Sequence, residues 1–142
     1  MDLIGSLLET EPAKQTKQKI YTTGFGSREV TDLPKLLESL NAILIDIRFI
    51  PEVKPIQWSK EYLKLLLKNK YLHVPSLGDR KSKEGRMVIQ NLSLGIKIIT
   101  ELKANLLLVC RCERKENCHR GKIIEELKEQ GIDAEEIRGW KR

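Results

Sequence analysis

The densest group of reactive side chains in this sequence is Cys110-Arg111-Cys112-Glu113-Arg114-Lys115-Glu116-Asn117-Cys118-His119-Arg120. Cys110 and Cys112 alternate onto one face of an apolar strand, while Cys118, His119 and Arg120 fall in the first turn of a helix expected over residues 118–130. The unpaired N–H groups and the positive end of the helix dipole favour negative charge there. A thiol at that place gives up its proton readily, so Cys118 is the candidate nucleophile and His119 its proton carrier. Cys110, held inside the strand, is expected to be inert. The same amides with Arg120 could instead hold a phosphate.

Other chemistries fit this cluster less well. Cys-x-Cys is not a usual zinc spacing, and adjacent Cys118 and His119 would strain a shared tetrahedron, so no metal is expected. A phosphatase-type loop needs Cys, five residues, then Arg. Counting from Cys112 reaches Cys118 instead, and Glu113 and Glu116 would repel the phosphate. A Cys112–Cys118 redox pair or bridge stays open, as does a plain pairing of buried cysteines with a capping cluster.

Two further loops carry polar groups. Gly24-Phe25-Gly26-Ser27-Arg28 follows the first expected strand. Its glycines let backbone amides approach a ligand, and Ser27 and Arg28 add donors. Glu29 stands where a dinucleotide fingerprint needs its third glycine, so no nucleotide cofactor is expected. Asp46-Ile47-Arg48 closes the second strand, with acid and base on the same side of it. That pair could orient a ligand or fix the loop leading to Pro51.

The elements that must position these groups alternate. Leu3, Ile4, Leu7 and Leu8 lie on one helical face and Thr10–Gln18 is polar, so residues 1–18 read as an arm and linker before a single domain at 19–142. Within that domain the expected strands are Lys19–Thr23, Ala42–Arg48, Tyr71–Val74, Ala104–Cys112 and Ala134–Ile137. The helices between them begin near Thr31 or Asp32, at Ser59, at Met87 (running to Leu102) and at residue 118. Strand–helix alternation predicts an α/β, three-layer, mainly parallel Rossmann-like sheet with helices on both faces. Ligands of such sheets bind beyond the carboxyl ends of the strands, where the strand order reverses. In the order 3-2-1-4-5 that point lies between strands one and four, whose following loops are the unusual ones.

The 142 residues carry 26 Lys and Arg against 20 Asp and Glu, a net charge of +6. The excess gathers mid-chain at Lys60, Lys64, Lys68, Lys70, Arg80, Lys81, Lys83 and Arg86, a run that could meet phosphates or form a solvated face. Five per cent aromatic residues argue against a base-stacking platform. The apolar runs are far short of the ~20 residues of a membrane span, the acidic start is not a secretory signal, and three cysteines cannot all pair. A cytoplasmic chain without membrane partners is expected, and its abundance of Lys, Glu and Ile points to a thermophilic source.

In order along the chain, Tyr21-Thr22-Thr23-Gly24, Asp46-Ile47-Arg48, Tyr71-Leu72-His73-Val74-Pro75-Ser76-Leu77-Gly78, Cys110 and Cys118-His119-Arg120 resemble the family catalogued as domain of unknown function 488. The resemblance runs from about Lys19 to the carboxyl end. It implies the α/β fold and a site where these motifs meet, and brings no assigned reaction. Phe25 stands where many members have His, Asp79 where many have a second Gly, and Arg111-Cys112 where many continue to Glu. A catalytic member without that His would rely on His73 or His119. These residues together predict a phosphate-bearing ligand, a nucleotide or nucleic-acid end, held by Gly24, Gly26, Ser27, Arg28, Asp46, Arg48 and Arg120. The alternative is a non-catalytic module that binds nucleic acid or a protein partner through the Lys60–Arg86 region.

Overall fold

The computed structural model describes residues 18–25, 29–52, 54–111 and 119–137. The expected arm, the Gly26-Ser27-Arg28 donors and the Cys112–Cys118 stretch lie outside them. Among the described residues five strands and four α-helices alternate: β1 Lys19–Gly24, α1 Leu33–Leu40, β2 Ala42–Asp46, α2 Lys60–Leu67, β3 Tyr71–His73, α3 Leu92–Glu101, β4 Asn105–Cys110, α4 His119–Glu129 and β5 Asp133–Glu136. All pairings are parallel, in the order β3-β2-β4-β1-β5. The fold is a three-layer Rossmann-like α/β sheet.

Alternation along the strands sorts the core into two layers. Ile20, Ile45, Leu106, Leu108 and Cys110 pack with Ile96 and Ile99 of α3 and Ile123 and Leu127 of α4. Leu44, Tyr71, Leu107 and Val109 pack with Leu33 and Leu37 of α1 and Leu63 and Leu67 of α2. The helices α1 and α2 therefore cover one face, and α3 and α4 the other.

The order corrects the expected 3-2-1-4-5. β4, not β1, is the centre. Its residues Leu106–Cys110 are buried without interruption, whereas β1 carries Lys19, Tyr21, Thr22 and Thr23. The most apolar strand takes the place with two neighbours and two covered faces. Strands one and four remain adjacent, as expected, with Gly24 in register with Cys110. On the other side of β4, Asp46 is in register with Val109.

Several boundaries shift for local reasons. The expected strand over Ala42–Arg48 stops at Asp46, and Ile47 and Arg48 form the loop beyond it. The helix expected from Met87 starts only at Leu92, because the Asn91 side chain accepts the Leu94 N–H at 3.2 Å. Residues 78–90 form a loop instead, tied by Asp79 Oδ1 to the N–H groups of Lys81 and Val88 and by the Gln90 N–H to the Gly78 carbonyl. At α2 the expected cap is present, with Ser59 Oγ accepting the Tyr62 N–H. Asp32 precedes α1 but its side chain makes no capping bond. No helix among the described residues is long and apolar enough to cross a membrane.

Candidate functional site

The carboxyl end of β4 is flanked on both sides. Phe25 N–H donates to the Cys110 carbonyl at 2.9 Å, and Ile47 N–H donates to the Val109 carbonyl at 3.1 Å. The chain leaves β1 and β2 toward one face of the sheet and β4 toward the other, so their ends splay apart. A cavity of about 300 Å³ opens at this divergence. It is lined by Arg48, Phe49, Ile50 and Glu52 after β2, Asp79 and Lys81 after β3, Cys110 and Arg111 at the end of β4, and His119 at the start of α4.

Asp46 and Arg48 are 0% and 5% exposed and form a two-point ion pair, Nε to Oδ1 at 2.9 Å and Nη2 to Oδ2 at 2.7 Å. The Arg48 backbone N–H also donates to Oδ1, and the Tyr71 hydroxyl donates to Oδ2 at 2.6 Å. Arg48 Nη2 reaches the Trp58 carbonyl at 2.7 Å, and Nη1 reaches Glu52 Oε1 at 3.2 Å. Phe25 lies between the guanidinium, 5.2 Å from its ring centre, and the stacked Trp58 ring at 4.2 Å. Burial opposes the charge on Arg48, but the carboxylates of Asp46 and then Glu52 outweigh it and hold its pKa above the ordinary value. Burial and the neighbouring Asp46 carboxylate push the Tyr71 phenol well above its usual range.

On the other face Arg120 is 0% exposed. Its Nε and Nη2 donate to Glu136 Oε1 and Oε2 at 3.1 and 2.9 Å, and its Nη1 to Cys110 Sγ at 3.1 Å. The Thr22 hydroxyl donates to the same Glu136 Oε1 at 2.6 Å. The two histidines grip the segment between these clusters. His119 Nε2 donates to the Ile47 carbonyl at 3.0 Å and His73 Nε2 to the Arg48 carbonyl at 2.7 Å. A carbonyl only accepts, so the Nε2 proton is fixed in both rings.

The structure thus brings Gly24, Asp46, Arg48, His119 and Arg120 to one edge of the sheet. Asp46 is covered and serves to hold Arg48. Arg120 is fully buried and holds Glu136 at two points. Arg48 reaches the cavity wall already matched by Asp46. Gly24 and His73 do not line the cavity. Cys110 does, as the last residue of β4. Among the described residues no group of three or more His, Cys, Asp and Glu is placed to hold a metal ion.

Sequence reasoning named Lys81 only within the basic run and gave Arg111 no role; it missed Tyr71 and the Trp58 carbonyl as supports of Arg48, and Glu136 with Thr22 as supports of Arg120. Only the last pair left a trace: a threonine and a glutamate sit at inward positions of β1 and β5. The basic run is divided by β3, with Lys68 and Lys70 before the strand and Arg80–Arg86 after it.

A second cavity on this edge, about 440 Å³, is lined by Phe25, Glu29, Pro55, Gln57, Trp58 and Tyr62 among others and shares Arg111 with the first. A third, about 360 Å³, lies at the amino edge among Gln18, Asn41, Lys70, Lys103 and Asn105, with neither a histidine nor a cysteine. Fold and site together define an α/β protein with a cavity rimmed by charged side chains at the switch point of a parallel sheet. Comparison of the chain with protein families, with curated proteins and with solved structures found no match.

Proposed function

We propose that the cavity at the end of β4 binds a small phosphate-bearing molecule, a nucleotide or a related ester. The observation that carries this reading is the convergence of Arg48, Lys81 and Arg111 from three separate loops, with His119 beside them, on one opening. Three cations face two carboxylates, Glu52 and Asp79. Both carboxylates are loosely held to the rim cations, Glu52 Oε2 at 3.8 Å from Arg111 and Asp79 Oδ2 at 3.9 Å from Lys81. An incoming phosphate can replace such contacts with shorter, charge-assisted ones. Kinship with the domain of unknown function 488 family is part of the proposal. Its support is that Arg48, Cys110 and His119, which belong to three of those motifs far apart in the chain, all line this cavity.

The test is the change in melting temperature on adding inorganic phosphate and nucleoside monophosphates, with the wild type and with a Lys81→Ala, Arg111→Ala double variant. Stabilisation of the wild type that saturates, weakens with salt and is lost in the double variant is expected. Equal shifts in both proteins would refute the cavity. Duplex DNA binding with a steep salt slope that the double variant retains would favour the Lys60–Arg86 region instead.

A further inference from the structure

The second cavity at the carboxyl edge differs in kind from the first. Seven of the 142 residues are aromatic, and three of them, Phe25, Trp58 and Tyr62, line this one opening of about 440 Å³. Phe25 and Trp58 are buried and stacked on each other, so they form its inner side, while the half-buried Tyr62 borders it from α2. The polar residues Glu29 and Gln57 are exposed. Among the described residues neither their side chains nor the Tyr62 hydroxyl make a hydrogen bond. Glu29 disfavours a second phosphate here, because a carboxylate repels an anion and only accepts hydrogen bonds. Gln57 both donates and accepts. Among the described residues Arg111 is the one cation of this lining. Rings on the inner side, with an acceptor and an amide at the rim, suit a flat, uncharged ring that carries N–H groups.

The two openings adjoin. Arg111 belongs to both linings, so they meet within the length of one side chain, about what a ribose spans between a phosphate and a base. The partition between them is a stack: Arg48 lines the first opening, Phe25 and Trp58 line the second, and Phe25 lies between the guanidinium and the indole. We propose that the second opening receives the base of a nucleoside monophosphate whose phosphate is held at the first. The base lies against Tyr62, its N–H edge meets Glu29 and Gln57, and Arg111 stands at the join. This rests on the phosphate reading above and narrows it from phosphate esters in general to nucleotides. A low aromatic content argues against a base-binding surface when the sequence is read as a whole. The fold offsets that scarcity by gathering three rings at one place.

Calorimetric titration of the full chain with adenosine monophosphate and with ribose phosphate tests this directly. The two ligands share sugar and phosphate and differ only in the base. Adenosine monophosphate is expected to bind about tenfold or more tighter. Tyr62→Leu should remove most of that advantage, and Glu29→Ala and Gln57→Ala a smaller part each, while none of the three weakens ribose phosphate. Equal affinity of the wild type for the two ligands would refute the base subsite and leave the phosphate reading standing. Binding of neither would overturn both. An advantage of the nucleotide that survives Tyr62→Leu would place the base elsewhere, and the proposal is then wrong. If Tyr62→Leu does not fold, the Glu29→Ala, Gln57→Ala double variant decides in its place, since both residues are exposed. An undiminished advantage in that variant would refute the subsite.

Discussion

Two buried arginine–carboxylate pairs stand at the same edge of the sheet on opposite faces. On the α1/α2 face, Asp46 and Arg48 form a closed set. Tyr71 and the Arg48 N–H complete the carboxylate, while Trp58 and Glu52 engage the rest of the guanidinium. On the α3/α4 face, Glu136 and Thr22 hold Arg120 as firmly, and its Nη1 donates to the Cys110 sulfur. The pair chemistry is the same in both. The two differ in what the remaining nitrogen meets, the Glu52 carboxylate for Arg48 and the Cys110 sulfur for Arg120.

The largest expected effects come from breaking the pairs. Glu136→Gln takes the two-point carboxylate from a guanidinium with no exposure at all, and Asp46→Asn takes it from one that is 5% exposed. Each should lower unfolding stability by roughly 3–5 kcal/mol in urea titrations, Glu136→Gln the more. A loss below about 1 kcal/mol for Glu136→Gln would show that the second pair is not a strut, and the comparison would fail.

Next is the seam between the loops that frame the cavity. A Cβ on Gly78 would sit 2.4 Å from the backbone N and Cα of Phe49. Gly78→Ala must push the loops after β2 and β3 apart. It should cost about 1–3 kcal/mol and weaken phosphate binding together with stability. Unchanged stability would mean that the loops part without resistance.

Tyr71→Phe removes one hydrogen bond to Asp46 and should cost about 1–1.5 kcal/mol at neutral pH. It should also change the alkaline limb. The unfolded phenol ionises near pH ~10, whereas burial and Asp46 keep the folded one protonated. This share of the stability is complete below pH ~10 and declines as the pH rises past it. The variant should therefore lose stability less steeply there than the wild type. Equal slopes would place Tyr71 outside the closed set.

The smallest effect on stability belongs to the rim. Lys81→Ala and Arg111→Ala alter exposed side chains with distant partners, 3.9 and 3.8 Å, and each should change stability by no more than about 0.5 kcal/mol. Their effect should appear in phosphate binding alone. A larger loss of stability would make the rim part of the scaffold and blur the division between the two.

The alternating strands and helices were legible because apolar period and turn chemistry are local. Leu33, Leu37, Leu63, Leu67, Ile96, Ile99 and Leu127 all face inward as their spacing requires. The Asp46–Arg48 pair was legible for the same reason: residues two apart at a strand end share a side. Residues 87–91 were misread because the Asn91 cap and the Asp79 bonds across the loop outweigh an apolar pattern that would suit a helix.

Strand order was the first thing local pattern could not supply. The hydrophobicity of Asn105–Cys110 states that β4 is deeply buried, but not which strands stand beside it. The roles of the arginines were the second. Arg48 and Arg120 look equally suited to an anion when read alone. Glu136 lies sixteen residues beyond Arg120 and Tyr71 twenty-five from Asp46, and only the parallel crossovers bring them into contact. Type and spacing were enough to name the residues that gather at the carboxyl edge. Which of them are neutralised inside the protein and which face the cavity depends on contacts between distant segments, because the energy of a buried charge is set by partners that only the assembled sheet provides.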